Sequence, residues 1–193
     1  MKKLKDLVAK ILSRVLDPVW EIPIGILMAI GFAVSEGLRW RFLGVLLFIG
    51  AVVPFIFFLI MLRHKQLVNW DMQKRAERIP IYVFTLLCHL AGLWLTLELG
   101  KIELASVLGV FYVIGLSFGL ITLQWKISLH AGVNAVLFTA INVFYGWQYI
   151  WLYALLALVM WARVHQKHHT WVQVIAGAVL GGGMVGVGLG LVL

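Results

Sequence analysis

The chain has 193 residues, 63% of them hydrophobic and only 12% charged, which is too apolar for a soluble domain of this size. Its formal net charge of +8 sits in short polar stretches between long apolar runs. That arrangement suits membrane topology, and no nucleic-acid partner is expected. The single cysteine, Cys88, excludes an intrachain disulfide and a cysteine metal site.

Residues 1–19 read as an amphipathic helix. Leu4, Leu7, Val8, Ile11, Leu12, Val15 and Leu16 recur at helical spacing, while Lys3, Lys5, Lys10 and Arg14 fall mostly on the other face. The pattern suits a helix lying in the membrane surface against anionic lipid, and equally one packed on the protein. No apolar core precedes a small-residue cleavage site, so no cleavable signal is expected.

Residues 20–193 read as a single transmembrane domain. Seven apolar segments follow one another, at about 20–36, 42–62, 80–98, 104–123, 130–146, 147–162 and 171–193. The expected architecture is therefore all-α, a polytopic membrane bundle of about six to seven spans. Pro54 is expected to kink the second segment. His89 lies mid-segment, either as a functional group or as a neutral histidine bonded across helices. Only Gly146-Trp147 separates the fifth and sixth segments, so a tight hairpin is expected there. Trp20, Trp40, Trp70, Trp125, Trp147, Trp161 and Trp171 fall near segment ends, where indole rings prefer the headgroup region. In the last segment Gly182, Gly186 and Gly190 recur every four residues. That spacing admits a close helix neighbour, either within the monomer or across a homodimer.

Orientation follows from the cations. With seven crossings, every lysine and arginine except Arg39, Arg41 and Lys101 falls on the side of the N-terminus, which makes that side cytoplasmic. Three polar stretches share it: 63–79, 124–130 and 163–173. In the first, a helix would align Asp71, Lys74 and Arg78. Lys74 and Arg78 suit a phosphate, with Asp71 orienting either; a solvated juxtamembrane run is the plainer reading. Pro80 is expected to open the next span. In the second, Ser128 suits an N-cap, and the helix start behind it suits an anion. His130 is placed to give a proton to a leaving oxygen, or else merely marks the membrane interface. In the third, Gln173 lies one turn beyond His169 and can orient its ring as a triad member would. His165 and His168 raise metal binding as a competitor, but no carboxylate accompanies them in sequence.

Together the three stretches resemble the three signatures of the type-2 phosphatidic acid phosphatase superfamily, the lipid phosphate phosphatases. The family pattern is Lys-x6-Arg-Pro, Pro-Ser-Gly-His and Ser-Arg-x5-His-x3-Asp. Arg78 matches the first, Ser128 and His130 the second, Arg163 and His169 the third. Asp71 stands at the first lysine, Ile79 separates Arg78 from Pro80, and Ile127 and Leu129 replace the proline and glycine. Ala162 and Gln173 replace the serine and aspartate. The resemblance covers roughly residues 60–180.

What the resemblance implies is an integral membrane phosphatase acting on a prenyl diphosphate or phosphatidate. His169 is then the nucleophile, Gln173 its orienting partner and His130 the acid and base. Arg78, Arg163, Lys74, Ser128 and Lys126 hold the phosphate, with Asp71 orienting. Neither a metal nor another cofactor is needed, because cations take that part. Two alternatives come from other classes. One is a catalytically impaired member that binds lipid headgroups or scaffolds a membrane partner. The other is a transporter, for which ionisable groups inside the spans are scarce.

Overall fold

Long apolar runs must satisfy their own backbone groups in lipid, and helices do so within one segment. The computed structural model describes residues 2–68, 70–72 and 74–193, and every regular element among them is helical. In chain order these are α1 (Lys2–Val15), α2 (Pro18–Ala33), α3 (Glu36–Leu47), a π-helical turn (Phe48–Val52), α4 (Val53–Arg63), α5 (Arg75–Glu98), α6 (Ile102–Thr122), α7 (Leu129–Phe144), α8 (Leu152–His165) and α9 (Trp171–Val192).

Five stretches are long and apolar enough to cross a membrane: Lys2–Ala33, Glu36–Arg63, Arg75–Glu98, Ile102–Thr122 and Trp171–Val192. The apolar helices α7 and α8 are shorter, at 16 and 14 residues. The molecule is thus an all-helical bundle with the apolar segments in the expected order. Many large apolar side chains stay exposed, as Val83, Leu87, Leu90, Trp94 and Leu97 do on α5. A lipid-facing surface has that composition.

The chain divides into two compact units. One contains Met1–Glu21 and Lys126–Leu191, hence α1, the start of α2, and α7 to α9. The other contains Ile22–Trp125.

Within the second unit, Pro54 has a defined consequence. Proline has no N–H, and its ring crowds the carbonyl four residues back, here that of Gly50. The helix answers with the π-turn over Phe48–Val52 just before it. The Gly50 carbonyl accepts a hydrogen bond from His89 Nε2 on α5 at 3.0 Å. His89 is therefore a cross-helix hydrogen-bond donor, the second of its two readings.

The 64–74 connection packs back on its own helix. Leu67 is buried, and Trp70 meets Phe55 and Phe58 edge-on. The helical face expected for Asp71, Lys74 and Arg78 does not form. Met72 sits at φ 42°, and Lys74 is the extended N-cap of α5, so Asp71 and Lys74 both precede the helix. Pro80 does not open α5 either; it lies inside it, five residues past Arg75.

In the first unit, α1 packs against α8 and buries only small residues, Ala9 and Ser13. Leu4, Leu7, Val8, Ile11 and Val15 remain exposed. The connection between α7 and α8 is longer than a two-residue hairpin, because α8 begins at Leu152. Gly146 and Trp147 both take positive φ, and buried Asn142 holds the loop together. Its Nδ2 donates to the carbonyls of Phe138 and Tyr149, and its Oδ1 accepts from the Tyr149 amide at 3.1 Å.

Helix α9 lies against α7 through glycine. A Cβ on Gly177 would stand 2.6 Å from the Ser128 carbonyl oxygen, and one on Gly181 would run into the Gly132 carbonyl. Gly182 and Gly186 face Thr139, whereas Gly183 and Gly190 have nothing within 4 Å. Most of the glycine pattern is thereby used inside the monomer.

Candidate functional site

The close α7–α9 contact brings two helix N-termini to one end of the first unit. The Ser128 amide donates to the Gln173 carbonyl at 3.3 Å, joining the two starts. Ser128 caps α7 as its sequence position predicts, its Oγ accepting from the Ala131 amide. Thr170 caps α9, with its Oγ1 accepting from the Gln173 amide. Helix N-termini carry exposed N–H donors and the positive end of the helix dipole, so this end favours an anion.

The capping box of α9 also fixes a tautomer. Gln173 Oε1 accepts from the Thr170 amide at 3.1 Å. An amide N–H can only donate, so the Gln173 atom there is the oxygen. The same oxygen lies 3.2 Å from His169 Nδ1, so that nitrogen must be the donor. The neutral His169 ring then carries its lone pair on Nε2, the arrangement a nucleophilic histidine requires.

Loop 166–170 sets the ring's position. Lys167 takes a positive φ of 58°, and the Arg163 carbonyl accepts from the amides of both His168 and His169. Lys126 Nζ donates to the His168 carbonyl at 3.0 Å and ties the loop to the residues before α7. Arg163 is only 1% exposed, so its guanidinium is buried rather than offered as a solvated surface charge. It also sits in the last turn of α8, where the helix dipole favours a cation.

His130 is turned toward the N-terminal helix. Its Nε2 lies 3.3 Å from the Ser13 carbonyl and 3.6 Å from Asp17 Oδ2. A carbonyl only accepts, so Nε2 carries hydrogen. Asn134 reinforces the link by donating to the Leu16 carbonyl at 3.2 Å.

The first unit thus brings together Lys126, Ser128, His130, Arg163, His169 and Gln173. Asp71, Lys74 and Arg78 belong to the second unit. There Arg78 is buried and its Nε donates to the Met72 carbonyl at 2.9 Å.

His165 does have a carboxylate, although a distant one. Its Nε2 lies 2.7 Å from Asp6 Oδ1, and its ring stacks on Trp161. No group of three or more His, Cys, Asp or Glu side chains suited to a metal occurs among the described residues.

Sequence reasoning missed Ser13, Asp17 and Asn134. One signal was available: Asp17-Pro18 is a good N-cap followed by proline at the first helical position. It marks a helix start but says nothing of what the second carboxylate oxygen meets. Comparison with protein-family models, with curated proteins and with solved structures finds no match to this chain.

Proposed function

We propose that the chain is a membrane lipid phosphate phosphatase, a divergent member of the type-2 phosphatidic acid phosphatase superfamily, acting through a phosphohistidine. The observation that carries this reading is the Thr170–Gln173–His169 network, which puts the lone pair on His169 Nε2 at two helix N-termini.

In the first half of the reaction His169 Nε2 attacks phosphorus, and the bond from phosphorus to the lipid oxygen breaks. His130 protonates that oxygen. In the second half His130 takes a proton from water, which attacks phosphorus and releases His169. Arg163 and the helix N-termini offset the developing charge. Prenyl diphosphates and phosphatidate are the substrate classes that fit an apolar chain held among spans. The positive-inside bias puts the active end on the cytoplasmic side, and the exposed apolar row of α1 suits the lipid interface there.

Gln173 is what favours a second reading, a silent headgroup binder. A neutral amide orients His169 but stabilises its cationic form less than aspartate. In serine proteases the corresponding Asp-to-Asn change costs about 10⁴ in rate. Phosphate release by the purified protein in detergent with EDTA decides between them. Farnesyl diphosphate, phosphatidate and phosphatidylglycerol phosphate are the substrates, with His169→Ala in parallel. Release that vanishes in the variant supports the enzyme. Binding of these lipids without release supports the silent binder.

A further inference from the structure

A general acid must hold a proton before it gives one, and a buried imidazole does so poorly without an anionic partner. Asp17 supplies that partner. It is buried at the turn between α1 and α2, and its two oxygens have separate tasks. Oδ1 caps α2 by accepting from the Val19 amide at 3.1 Å. Oδ2 faces His130 Nε2 at 3.6 Å and Arg14 Nη1 at 3.7 Å. The helix cap needs only the first of these contacts.

The turn that presents the carboxylate is fixed from three directions. Ser13 Oγ donates to Gln166 Oε1 at the end of α8, the Ser13 carbonyl takes the His130 Nε2 hydrogen, and Asn134 holds the Leu16 carbonyl.

We propose that Asp17 is the positioning residue for His130: the Ser13 carbonyl holds Nε2–H inward, and the Asp17 carboxylate beside it stabilises the imidazolium, so that Nδ1 serves as acid and then base. This role rests on the phosphohistidine reading. Asp17 itself takes no proton. In the first half Nδ1 gives its proton to the lipid oxygen as the P–O bond breaks. In the second, Nδ1 regains a proton from the attacking water as the P–N bond to His169 breaks.

The test compares two leaving groups on the full-length protein. Phosphatidate needs its leaving alkoxide protonated, whereas p-nitrophenolate leaves without a proton. Asp17→Asn keeps the N-cap, since asparagine caps as well as aspartate. Steady-state turnover of phosphatidate is expected to fall about 10²-fold, while the p-nitrophenol burst, which reports the first half alone, stays within about threefold of wild type. An equal fall in both would make Asp17 a scaffold only, and no fall in either would remove the role altogether. If Asp17→Asn does not yield folded protein, Asp17→Glu and Asp17→Ser give the same comparison. Glutamate is expected to recover phosphatidate turnover and serine is not; the same turnover in both would overturn the role. A wild type that releases phosphate from neither substrate defeats the phosphatase reading and this role with it. An active wild type with an equally active Asp17→Asn defeats this role alone.

Discussion

Gly177→Ala tests how tightly the site depends on the α7–α9 contact. The new Cβ would stand 2.6 Å from the Ser128 carbonyl oxygen, and ordinary contact begins near 3.4 Å, so the helices must part by about 0.8 Å. The obstacle is backbone rather than a side chain that can turn aside. Overpacking of this kind costs ~1–3 kcal/mol. Alanine returns ~1 kcal/mol of helix propensity, leaving a net loss of ~0–2 kcal/mol. The larger effect is on geometry. The same movement stretches the 3.3 Å bond from the Ser128 amide to Gln173 and carries His169 away from the start of α7. A misplacement near 1 Å costs about 10²-fold in rate. Gly183→Ala is the control, because nothing lies within 4 Å of its Cβ. Turnover of phosphatidate and thermal unfolding in detergent are measured for both variants. Gly177→Ala is expected to lose about 10²-fold in kcat with a small drop in Tm, and Gly183→Ala to match wild type. A Gly177→Ala protein with wild-type turnover would refute the dependence on this contact.

Three further outcomes follow from the hydrogen bonds. Gln173→Leu removes the acceptor that fixes the His169 tautomer, and kcat should fall about 10³-fold or more; Gln173→Asp should hold turnover at or above wild type. His89→Ala should destabilise the protein by ~0.6–1.7 kcal/mol by removing the cross-helix hydrogen bond to the Gly50 carbonyl. In a Pro54→Ala background residue 54 can satisfy that carbonyl itself, so the cost of His89→Ala should shrink, as a double-mutant cycle of thermal stabilities will show. Asn142→Ala leaves the Tyr149 amide and carbonyl without their partner. It should cost ~1–3 kcal/mol in the same assay.

The sequence shows most clearly what depends on neighbours along the chain. Apolar runs mark the helices, Ser128 marks the start of α7, and the four-residue step from His169 to Gln173 puts ring and amide on one face. Elements that depend on an interruption are harder to read. Met72 in a left-handed conformation stops a helix that the polar pattern around Asp71 and Lys74 would otherwise suggest. The loop after α7 extends to Trp151 because the buried Asn142 amide can satisfy backbone groups seven residues on. Contacts across a long separation leave no local trace. Ser13 and His130 are 117 residues apart, and nothing near either one names the other. The same is true of Asp6 and His165, whose pairing gives that histidine the carboxylate its own stretch lacks.

The most direct test of the phosphohistidine is to trap it. Wild type, His130→Ala and His169→Ala are mixed with phosphatidate radiolabelled in its phosphate and quenched in alkaline detergent, because phosphohistidine survives alkali and is lost in acid. Label on the wild-type chain, more of it on His130→Ala if the second half is the slower step there, and none on His169→Ala is the predicted result. Phosphate release with no label on any chain, or label that persists on His169→Ala, would contradict it.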